Sequence, residues 1–179
     1  MTRLSLILIL LFTQRTGLEL SDSRLGELNL NLLNVQEINE QLKMAFPTYN
    51  VERGIGQQDG PDFTYYEVSS ENENLFRIDL DGNDSTQIFE IWIISNNIKD
   101  SDGIGIGSSL EELKKSKSNL RFHADVHYNI YASTGSSKLL YRLTGSFKML
   151  NDSTMVAPDY SVKEWQLGDN SVEHLIWRK

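Results

Sequence analysis

Phe76-Arg-Ile-Asp-Leu80-Asp-Gly-Asn-Asp-Ser85-Thr-Gln-Ile-Phe-Glu90-Ile-Trp92 places a run of turn residues between two alternating apolar segments. Phe76, Ile78 and Leu80 share one face of an extended chain, and Ile91-Trp-Ile-Ile94 is apolar on both. Gly, Asp and Asn accept the positive φ of tight hairpin turns, so the stretch reads as two antiparallel strands, Leu75 to Leu80 and Gln87 to Ser95. A second stretch echoes it: Lys163-Glu-Trp-Gln-Leu-Gly-Asp-Asn-Ser-Val-Glu-His-Leu-Ile-Trp177 also runs strand, turn, strand, tryptophan. Its strands are expected at Val162 to Leu167 and Val172 to Trp177.

Each hairpin closes a similar unit. Upstream of the first, Val35, Ile38, Leu42 and Ala45/Phe46 recur at helical spacing. Asn34 and Glu37 form a capping-box-like pair there, and Pro47 ends the helix. Upstream of the second, a short helix begins at Ser108 or Ser109, with Glu111 or Glu112 three residues on, and closes over Lys114 to Lys117. Further strands are expected at Phe63 to Val68, Phe122 to Ala132 and Leu139 to Leu143. The pattern predicts one α+β domain over residues 18–179, with antiparallel sheet and two short helices, in two similar helix-plus-strands halves at about 25–97 and 103–179. Such halves are too small to stand apart, so a continuous sheet or two packed sheets is expected.

The chain starts Met-Thr-Arg3, then nine nearly unbroken apolar residues, Leu4 to Phe12, then Thr13 to Gly17. Nine helical residues span about 14 Å, short of a bilayer core of about 30 Å. The pattern is that of a signal peptide over 1–17, which predicts a secreted or periplasmic protein. No later run approaches the length of a transmembrane helix. Net charge is −8, and the leader holds two basic residues and no acid. The acidic remainder repels a phosphate backbone, so nucleic acid is not an expected partner. The absence of cysteine excludes disulfides, thiolate catalysis and a lipidated N-terminal cysteine.

Three places invite chemistry. Asp79, Asp81, Asn83 and Glu90 match positions 1, 3, 5 and 12 of a calcium loop. The sixth position is Asp84 instead of Gly, and the flanks alternate as strands, so the plainer reading is the hairpin turn. His123-Ala-Asp125-Val-His127 places two imidazoles and a carboxylate on one face if the segment is a single strand, an arrangement able to hold a metal such as zinc. The plainer reading is a polar strand face, because convergence on one ion needs a further ligand, such as His174, from a neighbouring strand. Gly103-Ile-Gly-Ile-Gly107-Ser-Ser before a helix could hold an anion on free N–H groups, or simply turn with Ile104 and Ile106 buried. No Gly-x-Ser-x-Gly or His-Glu-x-x-His occurs, and Asn83-Asp-Ser85 and Asn151-Asp-Ser153 are glycosylation sequons.

Ile91-Trp-Ile-Ile-Ser-Asn-Asn-Ile98, then Gly103-Ile-Gly-Ile-Gly107-Ser-Ser-Leu-Glu-Glu-Leu113, with the upstream helix after Asn34 and Phe46-Pro-Thr-Tyr49, resembles the sigma-E-regulated bacterial envelope lipoprotein family of unknown function. The resemblance covers residues 25–177. It implies an α+β fold outside the cytoplasm and supplies no catalytic residues, while the missing lipidation cysteine departs from it. Together these readings predict an exported protein of unknown function, in a non-catalytic binding or envelope-maintenance role, whose partner is an unknown protein or small ligand in the envelope. No cofactor is expected. The alternative is a metal-dependent protein, such as a hydrolase, using His123, Asp125 and His127.

Overall fold

Alternation becomes a sheet when every strand turns its apolar residues the same way, and here one row of paired residues crosses eight strands. The computed structural model describes residues 18–57, 61–135, 137–145, 147 and 160–179; the expected leader and the Asn151 sequon lie outside them. The large sheet is built from β4 (Asn50–Gly56), β5 (Phe63–Ser69), β6 (Asn74–Leu80), β7 (Ile88–Ile93), β9 (Leu120–Ala124), β10 (Ile130–Thr134), β11 (Leu139–Leu143), β12 (Tyr160–Val162) and β13 (Val172–Arg178). The row Phe122, Ala132, Tyr141, Leu175, Ile93, Phe76, Val68 and Val51 runs across it in register. All but Val51 of that row are buried. Residues one position along, such as His123, Tyr131, Arg142 and His174, face the other way.

Strand order is β12-β9-β10-β11-β13-β7-β6-β5-β4, with every neighbouring pair antiparallel. The order is symmetric about the β13–β7 pair. Outward on one side lie β6, β5 and β4, a meander that follows the first helix, α1 (Ile38–Ala45); outward on the other lie β11, β10 and β9, following α2 (Leu110–Ser116). The two meanders thus form one continuous sheet. The tryptophans that end the two echoing stretches are out of phase, however. Trp177 pairs with Ile91 and is buried in the core, whereas Trp92 pairs with Ile176 on the opposite face.

The core face is covered by α1, α2 and a second, four-stranded sheet: β1 (Glu19–Leu20), β2 (Arg24–Leu25), β3 (Leu28–Asn29) and β8 (Lys99–Asp100), with β1 and β8 parallel. Leu20, Leu25, Ile38, Leu42, Phe46, Ile98, Ile104, Leu110 and Leu113 bring the cover's apolar side chains into the same cluster as the sheet row. Each such side chain contributes about 1.5–3 kcal/mol when fully buried. The Phe46 ring meets Phe76 edge-on at 5.2 Å, and Trp177 Nε1 donates to the Asp22 carbonyl at 2.9 Å.

Local chemistry sets the boundaries. Ser109 and Glu112 form both bonds of a capping box at the start of α2. At α1 the helix starts later than the periodicity predicts. Asn34 Oδ1 caps Gln36, but the first turn, Val35–Glu37, is a 3-10 turn, and Gln41 rather than Glu37 reaches back to the Asn34 N–H. β4 escapes a periodicity reading because Gly54 and Gly56 interrupt its alternation. The Tyr65 and Phe63 rings lie over those glycines, so close that a Cβ at either would come within 2.3 Å of ring carbons.

Candidate functional site

Asp100 organises the link between the halves. Its carboxylate is fully buried, and Oδ1 accepts the N–H groups of Asp102 (2.9 Å) and Ile104 (2.8 Å). Oδ2 accepts the Tyr141 hydroxyl at 2.6 Å and lies 2.7 Å from Lys117 Nζ. Lys117 also bonds Asp102 and sits over the Tyr141 ring, 5.8 Å from its centroid. Burial opposes the ammonium charge, but the bonds to Asp100 and Asp102 outweigh it and raise the Lys117 pKa. Burial first, then the bond to the Asp100 carboxylate, pushes the Tyr141 hydroxyl well above the ordinary phenol range, so it is a permanent donor.

The glycine-rich stretch belongs to this arrangement. Gly103 and Gly107 have φ of +82° and +88°, which favours glycine, and a Cβ on Gly105 would lie 2.8 Å from the Ile98 carbonyl. The N–H groups of Gly103, Ile104, Gly105 and Gly107 donate to Asp100 O, Asp100 Oδ1, Ser108 Oγ and Val172 O respectively. Those donors are committed inside the fold. The segment is a turn, with Ile104 buried and Ile106 partly so.

Above Lys117 opens a cleft of about 990 Å³. It lies at one end of the two layers, between Ser21–Ser23 of the cover, Ser101 and Asp102 of the link between the halves, the α2–β9 junction (116–121) and Thr134, Gly135, Ser137 and Leu139 of the β10–β11 hairpin. Hydroxyls line it. Those of Ser23, Ser101, Ser118 and Thr134 make no hydrogen bond among the described residues. The cleft's charges are unevenly matched. Asp22 accepts Ser137 Oγ and Lys138 N, and Asp102 pairs with Lys117, while Arg121 is exposed and has no partner among the described residues. A concave, hydroxyl-rich wall beside an exposed guanidinium can hydrogen-bond a polar ligand.

His123, Asp125 and His127 lie toward the other end of β9 and do not share one strand face. The expected strand from Phe122 to Ala132 is two strands and a turn, because Asp125 closes a tight loop. Its Oδ1 accepts the N–H groups of His127 and Asn129, and its Oδ2 accepts Asn129 Nδ2 at 2.8 Å and the Tyr131 hydroxyl at 3.3 Å. Tyr128, at φ +64°, completes the turn. Burial disfavours the Asp125 charge, yet these hydrogen bonds prevail and lower its pKa. His123 stacks on Tyr131, with ring centroids 5.3 Å apart, and His127 is exposed on the loop. His174 stands three strands from His123, about 14 Å away at normal strand spacing, and its ring meets Trp92. Among the described residues no group of three or more His, Cys, Asp or Glu is placed to hold a metal ion.

The calcium-like stretch divides in the same way. Asp79 and Glu90 are register partners on the face opposite the core. Asp79 is gripped by both Arg77 nitrogens at 2.7 and 2.8 Å, while Glu90 accepts Trp92 Nε1 at 2.6 Å and Arg178 Nη2 at 2.9 Å. Asp81 and Asp84 cap the N–H groups of Asn83 and Thr86 within the turn. Burial raises the Asp79 pKa against the pull of Arg77. The cleft itself escaped sequence reasoning. Its hydroxyl residues come from four separated segments, and no motif in the sequence joins them.

Fold and site define a two-layer α+β protein, a large antiparallel sheet covered on one face by two short helices and a small second sheet, with a polar cleft where the layers part. The chain belongs to the DUF1131 family, proteins of unknown function, whose model matches residues 7–179. The crystal structure of the uncharacterized protein yfeY from Escherichia coli shares the fold, with a TM-score of 0.58 at 18% identity over 90% of this chain and 99% of that one. No curated protein sequence matches the chain. Among the described residues no helix is long and apolar enough to cross a membrane.

Proposed function

We propose that this is an exported protein of the bacterial envelope, periplasmic or secreted, that binds a polar ligand without converting it. Its cleft beside Lys117 receives a hydroxylated molecule carrying one negative group. The observation that carries this reading is Arg121, the unpartnered cation in a cleft whose walls offer unbonded hydroxyls. Asp102 pairs with Lys117, and Asp22 accepts Ser137 Oγ and the Lys138 N–H, so an incoming anion meets Arg121, and its hydroxyls meet Ser101, Ser118 and Thr134. The short apolar leader supports export, and the resemblance to sigma-E-regulated envelope lipoproteins supports a maintenance role.

Calorimetry with glucuronate and N-acetylmuramate, against neutral glucose, tests the reading. Binding of the acids with 1:1 stoichiometry, weakened about tenfold by Arg121→Gln and absent for glucose, is expected. No binding of either acid, equal binding by Arg121→Gln, or turnover of a bound acid would overturn it.

A further inference from the structure

Trp165 is the largest apolar side chain that the fold leaves exposed, at 61%. It stands on a 3-10 turn (Glu164–Gln166) beside a second cleft of about 710 Å³, formed against the first residues of α2. Its backbone is held from both sides. Lys163 N donates to the buried Gln166 side chain at 2.7 Å, Leu167 N donates to Glu164 O at 3.0 Å, and Gly168 N donates to Asn170 Oδ1 at 2.9 Å. The next residues are tied to α2 through Leu110 N and Asn170 O, 2.9 Å apart. The indole is therefore presented on a fixed base, with Leu110 and Leu167 continuing an apolar floor.

The polar lining selects what can lie there. The Ser109 hydroxyl is committed to the capping box, the Asn170 amide to Gly168 and Thr144, and the Ser171 hydroxyl to Thr144. Lys114 is paired with Glu164. Left over are the carboxylates of Glu111 and Asp169, which have no partner among the described residues. Such a lining repels anions, and beyond its acids it offers a sugar few side-chain hydrogen bonds. An indole face beside two unpaired carboxylates attracts a cation with an apolar stem.

We infer that the Trp165 cleft binds a primary alkylammonium group, its methylene stem lying on the indole and its charge held by Glu111 and Asp169. A free polyamine and a lysine side chain share this chemistry. The inference is independent of the cleft beside Lys117, at the opposite end of α2.

The test is titration of the whole protein with spermidine and, separately, with N-acetyl-lysine amide, followed by calorimetry and by the three tryptophan indole N–H resonances. N-acetylglucosamine is the neutral control. Both amines are expected to move the Trp165 resonance selectively; movement with spermidine alone identifies the polyamine as the source, and with the lysine amide as well admits a protein-borne lysine. Trp165→Ala, and the double change Glu111→Gln with Asp169→Asn, should each raise the dissociation constant about tenfold, while Glu71→Gln, on an exposed acid elsewhere, should leave it unchanged. Trp165 is exposed, so these variants should fold. Equal spermidine binding by Trp165→Ala would reveal only attraction to an acidic surface and overturn the inference. So would tighter binding of N-acetylglucosamine than of either amine, or no binding at all.

Discussion

Replacing Lys117 by Met keeps the length and apolar stem of the side chain and removes the cation that pairs with the Asp100 carboxylate. That carboxylate has no solvent exposure, and the lysine side chain retains 12%. Removing one partner of a buried ion pair costs about 3–5 kcal/mol, because the other charge stays behind in a poor solvent. Here three donors remain on Asp100, the Tyr141 hydroxyl at 2.6 Å and the N–H groups of Asp102 and Ile104. They place the expected loss at the low end, about 3 kcal/mol, which lowers the melting temperature by about 6–12 °C for a chain of this size. Tyr141→Phe removes a hydrogen bond to a charged acceptor and should cost about 2 kcal/mol. The two changes share a partner, so the double variant should depart from additivity by at least about 0.5 kcal/mol. Urea unfolding, followed by circular dichroism and tryptophan fluorescence, measures all of these. A loss below about 1 kcal/mol at pH 7 would refute the claim that the lysine neutralises a buried charge.

Burial, reinforced by Arg142 and opposed by Glu173, lowers the His174 pKa below its usual 6.5. The folded ring stays neutral while the unfolded chain takes up a proton, so this residue's contribution is present above pH 6.5 and declines as pH falls through it; His174→Gln should flatten the urea midpoint against pH between 7 and 5. Gly54→Ala pushes a Cβ into the Tyr65 ring and should cost about 1–3 kcal/mol in thermal unfolding, whereas Gly168→Ala, with nothing within 4 Å, should be neutral or gain up to about 1 kcal/mol. Ser109→Ala removes the α2 cap and should cost about 1 kcal/mol by the same measurement.

The strands with clean alternation were legible. β5, β6, β7, β11 and β13 fall within a residue or two of their expected bounds, as does the capped helix α2. Elements held by tertiary contact were not. β1, β2, β3 and β8 are two residues each, too short to carry a period, and owe their existence to Leu20, Leu25 and Leu28 covering the sheet. The segment Phe122 to Ala132 misled because apolar residues alternate straight through it; the turn is made by the Asp125 side chain capping His127 and Asn129, and a two-residue period cannot register that. The same turn places His127 beyond the strand that carries His123. At the second hairpin, Val162 to Leu167 reads as a strand, but Gln166 Oε1 accepts the Lys163 N–H while the Gln166 N–H donates to the Lys163 carbonyl, winding Glu164–Gln166 into a 3-10 turn. The cleft was illegible for a different reason: serines and threonines are common on any surface, and only folding brings these from four segments to one wall.

The departure from symmetry bears on function. In the first half β6 passes to β7 through the short turn at 81–87, where Asp81 and Asp84 use their carboxylates to cap it. In the second half the equivalent passage, from β11 to β13, makes a detour. It adds β12 to the edge beyond β9 and returns through Glu164–Gln166 along α2. The sheet does not need this excursion to complete its meander, since β11 and β13 are already neighbours. Yet the excursion carries Trp165, fixes it with the buried Gln166 and Asn170, and builds one wall of the second cleft. The first cleft likewise takes its walls from the end of α2, β9, the β10–β11 hairpin, the link and Ser21–Ser23 of the cover rather than from β4–β7. One unit therefore completes the sheet with a short turn, while its counterpart carries the added surface on which recognition can be specific.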